Sequence, residues 1–276
     1  MKSVSVLSLC PLVLSACPAF AFDGKPLPDP AQLKQRAIAN MRKSEEALER
    51  YSCVVREQSD ELDGDGKVKK HQSRRMERFF VHGMQIDHVL ARDGKELNGA
   101  DAKKEQERVD KEVKKYSNPR EVSKRQDRAE RQVDMFLRAQ RLANGRREMR
   151  DGRSTVVYDL TGDPNFHPKS LEERFAQAVT GRLWMDEGAG TPVELRIETQ
   201  KDVKIGGGLL ANLHKGFMLH LTQQRQPEGV WLTKSVDGNG DVRAGLFFHP
   251  RFRFKEELDS CRLFSVDSKD LTHEGK

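Results

Sequence analysis

The feature that most constrains this chain is a succession of short extended segments joined by tight, glycine-rich turns, which fills most of the sequence after Ser154. The segments are Thr155 to Leu160, Gly181 to Asp186, Val193 to Thr199, Phe217 to Gln223, Val230 to Val236, Val242 to Phe248 and Phe252 to Leu258. Turns this short cannot carry the chain back to begin a parallel neighbour, so adjacent segments must pair antiparallel. Alternation sets the faces: Val193, Leu195 and Ile197 fall on one side and Glu194, Arg196 and Glu198 on the other, giving one dry and one wet surface. Tyr51 to Leu62, Lys67 to Val81 and Gln85 to Arg92 form an earlier meander, with Asp63-Gly64-Asp65-Gly66 as a strong hairpin signal. A total of about ten strands predicts an α+β fold, a strongly curved antiparallel half-barrel whose dry concave face must be filled.

The helices that could fill it are readable too. Asp29-Pro30 is an N-cap followed by proline at the first helical position, and Leu33, Ala37, Met41 and Leu48 then recur near the helical period to about Arg50. Between about 100 and 145 the period changes again. Ala102, Val109, Val113 and Tyr116 form one helical stripe, and Val122, Ala129, Val133, Phe136 and Leu137 a second, with Asn118-Pro119 between them. Both stripes are narrow and the other faces heavily charged, so this pair is expected to lie across the sheet with one edge buried. Ser170 and Glu173 make a capping box for a short helix running to Ala178.

Lys2 followed by the apolar stretch Val4 to Ala16 is too short to span a bilayer and has the length of a signal sequence's apolar region, so residues 1–21 are expected to direct export. Ala19-Phe20-Ala21 fits a cleavage site that would leave the protein free in the periplasm. Leu14-Ser15-Ala16-Cys17 reads instead as a lipobox, with lipidated Cys17 anchoring the protein at the outer membrane. Residues 22–29 then form a linker, residues 30–266 a single domain with a helical insertion at about 100–145, and residues 267–276 a flexible tail. Of four cysteines, Cys10 and Cys17 lie in the leader, leaving Cys53 and Cys261. In an oxidising compartment they either form a disulfide tying the two ends of the sheet together or remain two buried thiols in neighbouring strands.

The net charge of +6 invites a nucleic-acid reading, but residues 101–150 hold 16 basic against 10 acidic side chains, an excess equal to that of the whole chain. Acidic and basic residues interleave there, the pattern of a solvated, salt-bridged helix face, so no nucleic-acid partner is expected; contact with a membrane surface remains open. Catalytic signatures are missing: there is no G-x-S-x-G, the eight histidines are scattered, and His214 and His220 are the nearest to a pair. Neither C-x-x-C nor H-E-x-x-H occurs, so no metal and no cofactor is expected. Asp237-Gly238-Asn239-Gly240-Asp241 has alternate oxygen ligands but lacks the glycine and closing glutamate of a calcium loop, and reads as a hairpin turn. Gly206-Gly207-Gly208-Leu209-Leu210-Ala211 fits G-x-G-x-x-A only superficially, because it lies between antiparallel strands. Its glycines carry large apolar residues, which either plug the core or form a flap over an apolar cavity.

The run Gly181-Arg182-Leu183-Trp184-Met185-Asp186 followed by Thr191-Pro192-Val193-Glu194-Leu195-Arg196-Ile197-Glu198 resembles the central hairpin of the LolA/LolB/LppX-like envelope proteins, and Val230-Trp231-Leu232 a later strand. Tyr51-Ser52-Cys53-Val54-Val55, Lys204 to Ala211 and His214-Lys215-Gly216 also look like a group of acidobacterial exported proteins. The resemblance implies a helix-capped half-barrel with an apolar cavity for acyl chains and no catalytic residue. The helical pair departs from that pattern, and either covers the cavity differently or docks a partner. The implied ligand is an acyl-chain lipid or lipoprotein. Candidate lining residues are Leu183, Met185, Val193, Leu195, Ile197, Phe217, Leu219 and Leu221, with Leu209, Leu210 and Leu213 at the rim. The competing expectation is an envelope protein partner for the charged helices, with the sheet as scaffold.

Overall fold

The computed structural model describes residues 25–205, 211–244 and 249–263. Residues 1–24, with Cys17 and Ala21 of the expected leader, residues 206–210, with Leu209 and Leu210, and residues 245–248 and 264–276 lie outside the described residues. No described helix is long and apolar enough to cross a membrane.

The chain begins with α1 (Pro30–Lys43), which Asp29 caps through the Ala31 amide at 2.8 Å, and α2 (Glu45–Leu48). A meander follows: β1 (Tyr51–Leu62), β2 (Val68–Val81), β3 (Met84–Arg92) and the two-residue β4 (Lys95–Glu96). The charged pair is α3 (Gly99–Tyr116) and α4 (Pro119–Ala139), and the Asn118 side chain caps α4 by accepting from the Arg120 amide. Next come β5 (Gln140–Arg150), β6 (Arg153–Gly162), α5 (Leu171–Ala178), β7 (Val179–Asp186), β8 (Pro192–Thr199), β9 (Val203–Ile205), β10 (Ala211–Leu213), β11 (Met218–Arg225), β12 (Trp231–Ala244) and β13 (Arg251–Leu263). Ser170 and Glu173 form the full reciprocal capping box on α5.

The strands form one open antiparallel sheet in the order β4-β3-β2-β1-β13-β12-β11-β8-β7-β6-β5, with β10 on β12 and β9 on β10, thirteen strands among the described residues. Four of these fall outside the expected set. β4, β9 and β10 are only two or three residues long, and β5 is an edge strand too rich in charge to show an alternating pattern. Its length comes out of the helical insertion, which ends at Ala139 instead of about 145. The N-terminal helix likewise breaks at Ser44, separating α1 from α2.

Two readings are corrected by the strand order. β1 and β13 are neighbours in mid-sheet, so Cys53 and Cys261 are direct cross-strand partners and their disulfide staples adjacent strands instead of joining the sheet's ends. Asp237-Gly238-Asn239-Gly240-Asp241 is no turn but the middle of continuous β12. The reason is space: a Cβ on Gly238 would stand 2.6 Å from the Met218 carbonyl oxygen and 2.9 Å from the Phe254 ring. One on Gly240 would stand 2.8 Å from Phe217 and 2.9 Å from Phe252. Glycine in mid-strand lets aromatic rings from neighbouring strands lie over the backbone.

Cross-strand partners share a face, so the register traces rows across the sheet. One row runs Tyr158, Leu183, Leu195, Leu221, Val236, Glu256, Glu57, Arg74. The next runs Leu160, Gly181, Ile197, Leu219, Gly238, Phe254, Ser59, Gln72. This face is thus apolar from β6 to β12 and polar beyond β13. On the apolar half, Leu33 of α1, Phe136 of α4 and Phe175 of α5 close over Val156, Tyr158, Leu160, Val179, Leu183, Met185 and Ile197 to form the main core. An ion pair between Lys34 and Asp134 ties α1 to α4.

At the β3 end, α3 seals the sheet. Val109 and Tyr116 pack on Ile86, while the buried Glu105 accepts the Val89 amide at 2.9 Å and Arg108 donates to the Asp87 carbonyl. Burial alone would push Glu105's pKa up, but Arg108 and the Val89 amide outweigh it and hold the carboxyl below its usual range. Two of this helix's charged side chains, Glu105 and Arg108, therefore cover backbone groups at an edge that would otherwise expose them.

Candidate functional site

Where α4 and α5 cross beside the β9–β10 hairpin, they leave a cleft of about 420 Å³, lined by Gln132, Met135 and Phe136 of α4, Leu171, Glu172, Phe175 and Ala176 of α5, Val203 of β9 and Leu213 of β10. Its walls follow from helical spacing. Gln132, Met135 and Phe136 stand one turn apart on one stripe of α4, as do Leu171 and Phe175 on α5. Phe136 and Phe175 turn their inner surfaces to the main core, so the cleft lies directly above packed side chains.

An aromatic row leads away from it. Phe175 meets Phe217 edge-on at 5.7 Å between centroids, Phe217 lies 6.5 Å from Phe252, and Phe252 stacks on Phe254 at 6.4 Å. Phe217, Phe252 and Phe254 are half-buried, as are Leu221 and Val236 beside them. The two β12 glycines make this row possible by leaving the rings a flat bed.

The candidate lining residues thus separate into groups. Leu213 lines the cleft, and Phe217 continues its wall through Phe175. Leu183, Met185 and Ile197 are closed core beneath α1, α4 and α5, with Leu195 and Leu219 packed against them. They face the expected side but do not border the cleft, because the helices fill the space above them. Leu221 stays partly open on the same face. Val193 belongs to the opposite face. A bulge where Trp184 pairs with Glu194 and Met185 with Pro192 turns it outward, where it packs with Val157, Trp184 and Trp231. Met135, Phe136, Leu171, Phe175 and Val203 are cleft residues that sequence reasoning missed. Phe136 was visible only as part of a buried stripe, and nothing local tied α4 to α5.

The outer face also departs from the wet surface expected of it. Glu194 is 2 % exposed. It is held by ion pairs with Arg150 and Arg196 and by His220 Nε2 at 3.0 Å, while His220 Nδ1 faces Asp237 at 3.4 Å. Arg150 and Arg196 lie over the Trp184 ring at 4.9 and 5.5 Å, and the Trp184 indole donates to Glu148 at 3.0 Å. The carboxylate is buried because two guanidinium groups that stack on tryptophan also neutralise it. His214 lies elsewhere, its Nδ1 3.4 Å from Asp202, so the two histidines are not a pair.

A second charged cluster sits on the polar half of the helix-bearing face. Buried Arg78 donates to Asp87 at 2.7 and 3.0 Å and to Glu256 at 2.7 Å. Burial opposes its charge, yet the two carboxylates more than compensate and raise its pKa. Among the described residues, no group of three or more His, Cys, Asp or Glu side chains is arranged to hold a metal ion.

Fold and site together define an α+β protein built on one open antiparallel sheet, with an apolar cleft between two of the helices that cover half of one face. No family model and no curated protein matches the chain. Among solved structures it is similar to a provisionally assigned outer membrane lipoprotein-sorting protein domain from Vibrio parahaemolyticus, at 10% identity and a TM-score of 0.34, over 86% of this chain and 94% of that one. It is also similar to a DUF1329 family protein from Desulfovibrio piger, at 11% identity and a TM-score of 0.31, with the same coverages. MucB, solved in complex with MucA(peri), overlaps 86% of this chain over its whole length at 10% identity and a TM-score of 0.25. Overlaps this loose describe a likeness and carry no argument about function. The likeness to acidobacterial exported proteins finds no support in them.

Proposed function

We propose that this protein is a non-enzymatic cell-envelope binding protein, a carrier or sensor that shelters an acyl chain in the cleft between α4 and α5. The observation that carries the reading is the cleft itself: about 420 Å³, walled mainly by Met135, Phe136, Leu171, Phe175, Val203 and Leu213. Small-ligand sites are concave and mostly apolar, with volumes of roughly 300 to 1,000 Å³. The half-buried row Phe217, Phe252 and Phe254 extends the greasy surface beyond the cleft, so a chain longer than the cleft has somewhere to lie. Burying about ten methylenes there would gain on the order of 8 kcal/mol before ordering costs. The export signal read from residues 1–21 supports a working place outside the cytoplasm.

The test is a titration of the delipidated protein with the uncharged fluorophore N-phenyl-1-naphthylamine, followed by displacement with a long-chain alcohol. Saturable enhancement that the alcohol reverses, and that Leu213→Asp and Met135→Glu each weaken at least about tenfold, is the expected result; a charge facing an apolar ligand loses more than 1.4 kcal/mol. Unsaturable binding, or binding indifferent to both substitutions in folded protein, would remove the cleft from consideration.

A further inference from the structure

The helix that forms one wall of the cleft also arms its mouth. On α4, Arg128 stands one turn before Gln132 and Arg131 one turn before Met135, so both flank the lining stripe; Arg138 follows Met135 by three residues. All three are exposed, and none makes a hydrogen bond or an ion pair with any described residue. Other arginines of the molecule are tied down. Arg78, Arg108, Arg147, Arg153 and Arg196 are each held by a carboxylate. The carboxylates near the mouth are largely engaged: Asp134 pairs with Lys34, and Glu173 accepts the Lys169 and Ser170 amides in the capping box. Glu172 remains, accepting from its own amide and from Ser170, with Arg128 close enough to add its charge to their effect. Amide hydrogen bonds do not cancel Glu173's charge, and Arg138 is close enough to act on it, so three guanidinium groups face two carboxylates and leave the rim with one net positive charge beside an apolar interior.

We propose that the cleft's occupant is an anionic amphiphile, a single acyl chain lying against Phe175 and Leu213 with a carboxylate or phosphate head held by Arg128 and Arg131. The inference rests on the acyl-chain reading and specifies its ligand class. The complementarity is of both kinds, since a chain alone leaves the guanidinium groups unanswered and a small anion alone leaves the apolar walls unfilled.

Two probes with one chain test it: dansyl-undecanoic acid and its methyl ester, titrated into the delipidated full chain at about 10 mM and about 300 mM salt, where screening lengths differ several-fold. The carboxylate is expected to bind about fivefold to tenfold tighter than the ester at low salt, as rim charges of modest individual strength imply. High salt should shrink that advantage. The surface double variant Arg128→Gln/Arg131→Gln should abolish it by weakening the carboxylate much more than the ester. Equal affinity of the two probes at low salt, or a preference that survives in the folded double variant, overturns the anionic head and leaves the cleft reading standing. Failure of both probes to bind overturns both.

Discussion

The assignment of Gly238 to mid-strand makes a sharp prediction about Gly238→Ala. The added methyl carbon would sit 2.6 Å from the Met218 carbonyl oxygen, 2.9 Å from Phe254 Cε1 and 3.0 Å from Phe254 Cζ. The half-buried ring can swing away, but the oxygen belongs to β11, paired with β12 along its length, so the backbone must give. Overpacking of this kind costs about 1 to 3 kcal/mol, against which the lost flexibility of the unfolded chain returns about 0.4 to 1 kcal/mol. The net expectation is destabilisation by about 1 to 2 kcal/mol, or roughly 2 to 8 °C in melting temperature for a domain of this size. Gly240→Ala should be milder, because the nearest atoms in its way are side-chain ring carbons of Phe217 and Phe252 and not backbone. Gly64→Ala, with nothing within 4 Å, should be close to neutral. Urea unfolding followed by tryptophan fluorescence, with thermal melts in parallel, ranks the three. If Gly238→Ala matches the parent while Gly64→Ala falls, the packing argument for the glycines is refuted.

Arg78→Met should cost about 3 to 5 kcal/mol, because it strands Asp87 and Glu256 around an apolar side chain; adding Asp87→Asn and Glu256→Gln should recover much of the loss in the same urea assay. Removing the disulfide with Cys53→Ala/Cys261→Ala frees a loop spanning 208 residues, which on loop-entropy grounds lowers stability by about 5 kcal/mol. Reductant should therefore lower the urea midpoint of the parent and leave the double variant untouched.

Whatever is written in short range was legible in the sequence. The Asp63 to Gly66 hairpin, the Ser170 and Glu173 capping box and the Asp29 cap depend on neighbours within a few residues, and each forms as the local chemistry dictates. The period-two pattern of β8 also gave the correct face for Leu195 and Ile197, because alternation is a property of the strand itself. It failed at Val193, where a bulge against β7 breaks the alternation, and at Glu194, whose burial depends on Arg150 from a strand more than forty residues away.

The tertiary structure decided everything that turns on which strands and helices become neighbours. Cys53 meets Cys261 because the last strand inserts beside the first, an arrangement no spacing reveals. Gly238 and Gly240 sit in a strand because aromatic rings from β13 and the β11 approach need the room, although the same five residues in isolation favour a turn. The cleft is likewise a product of α4, α5 and the β9–β10 hairpin converging. Local propensity fixes what each segment is; only long-range packing fixes what surface it completes, since that depends on side chains brought together from opposite ends of the chain.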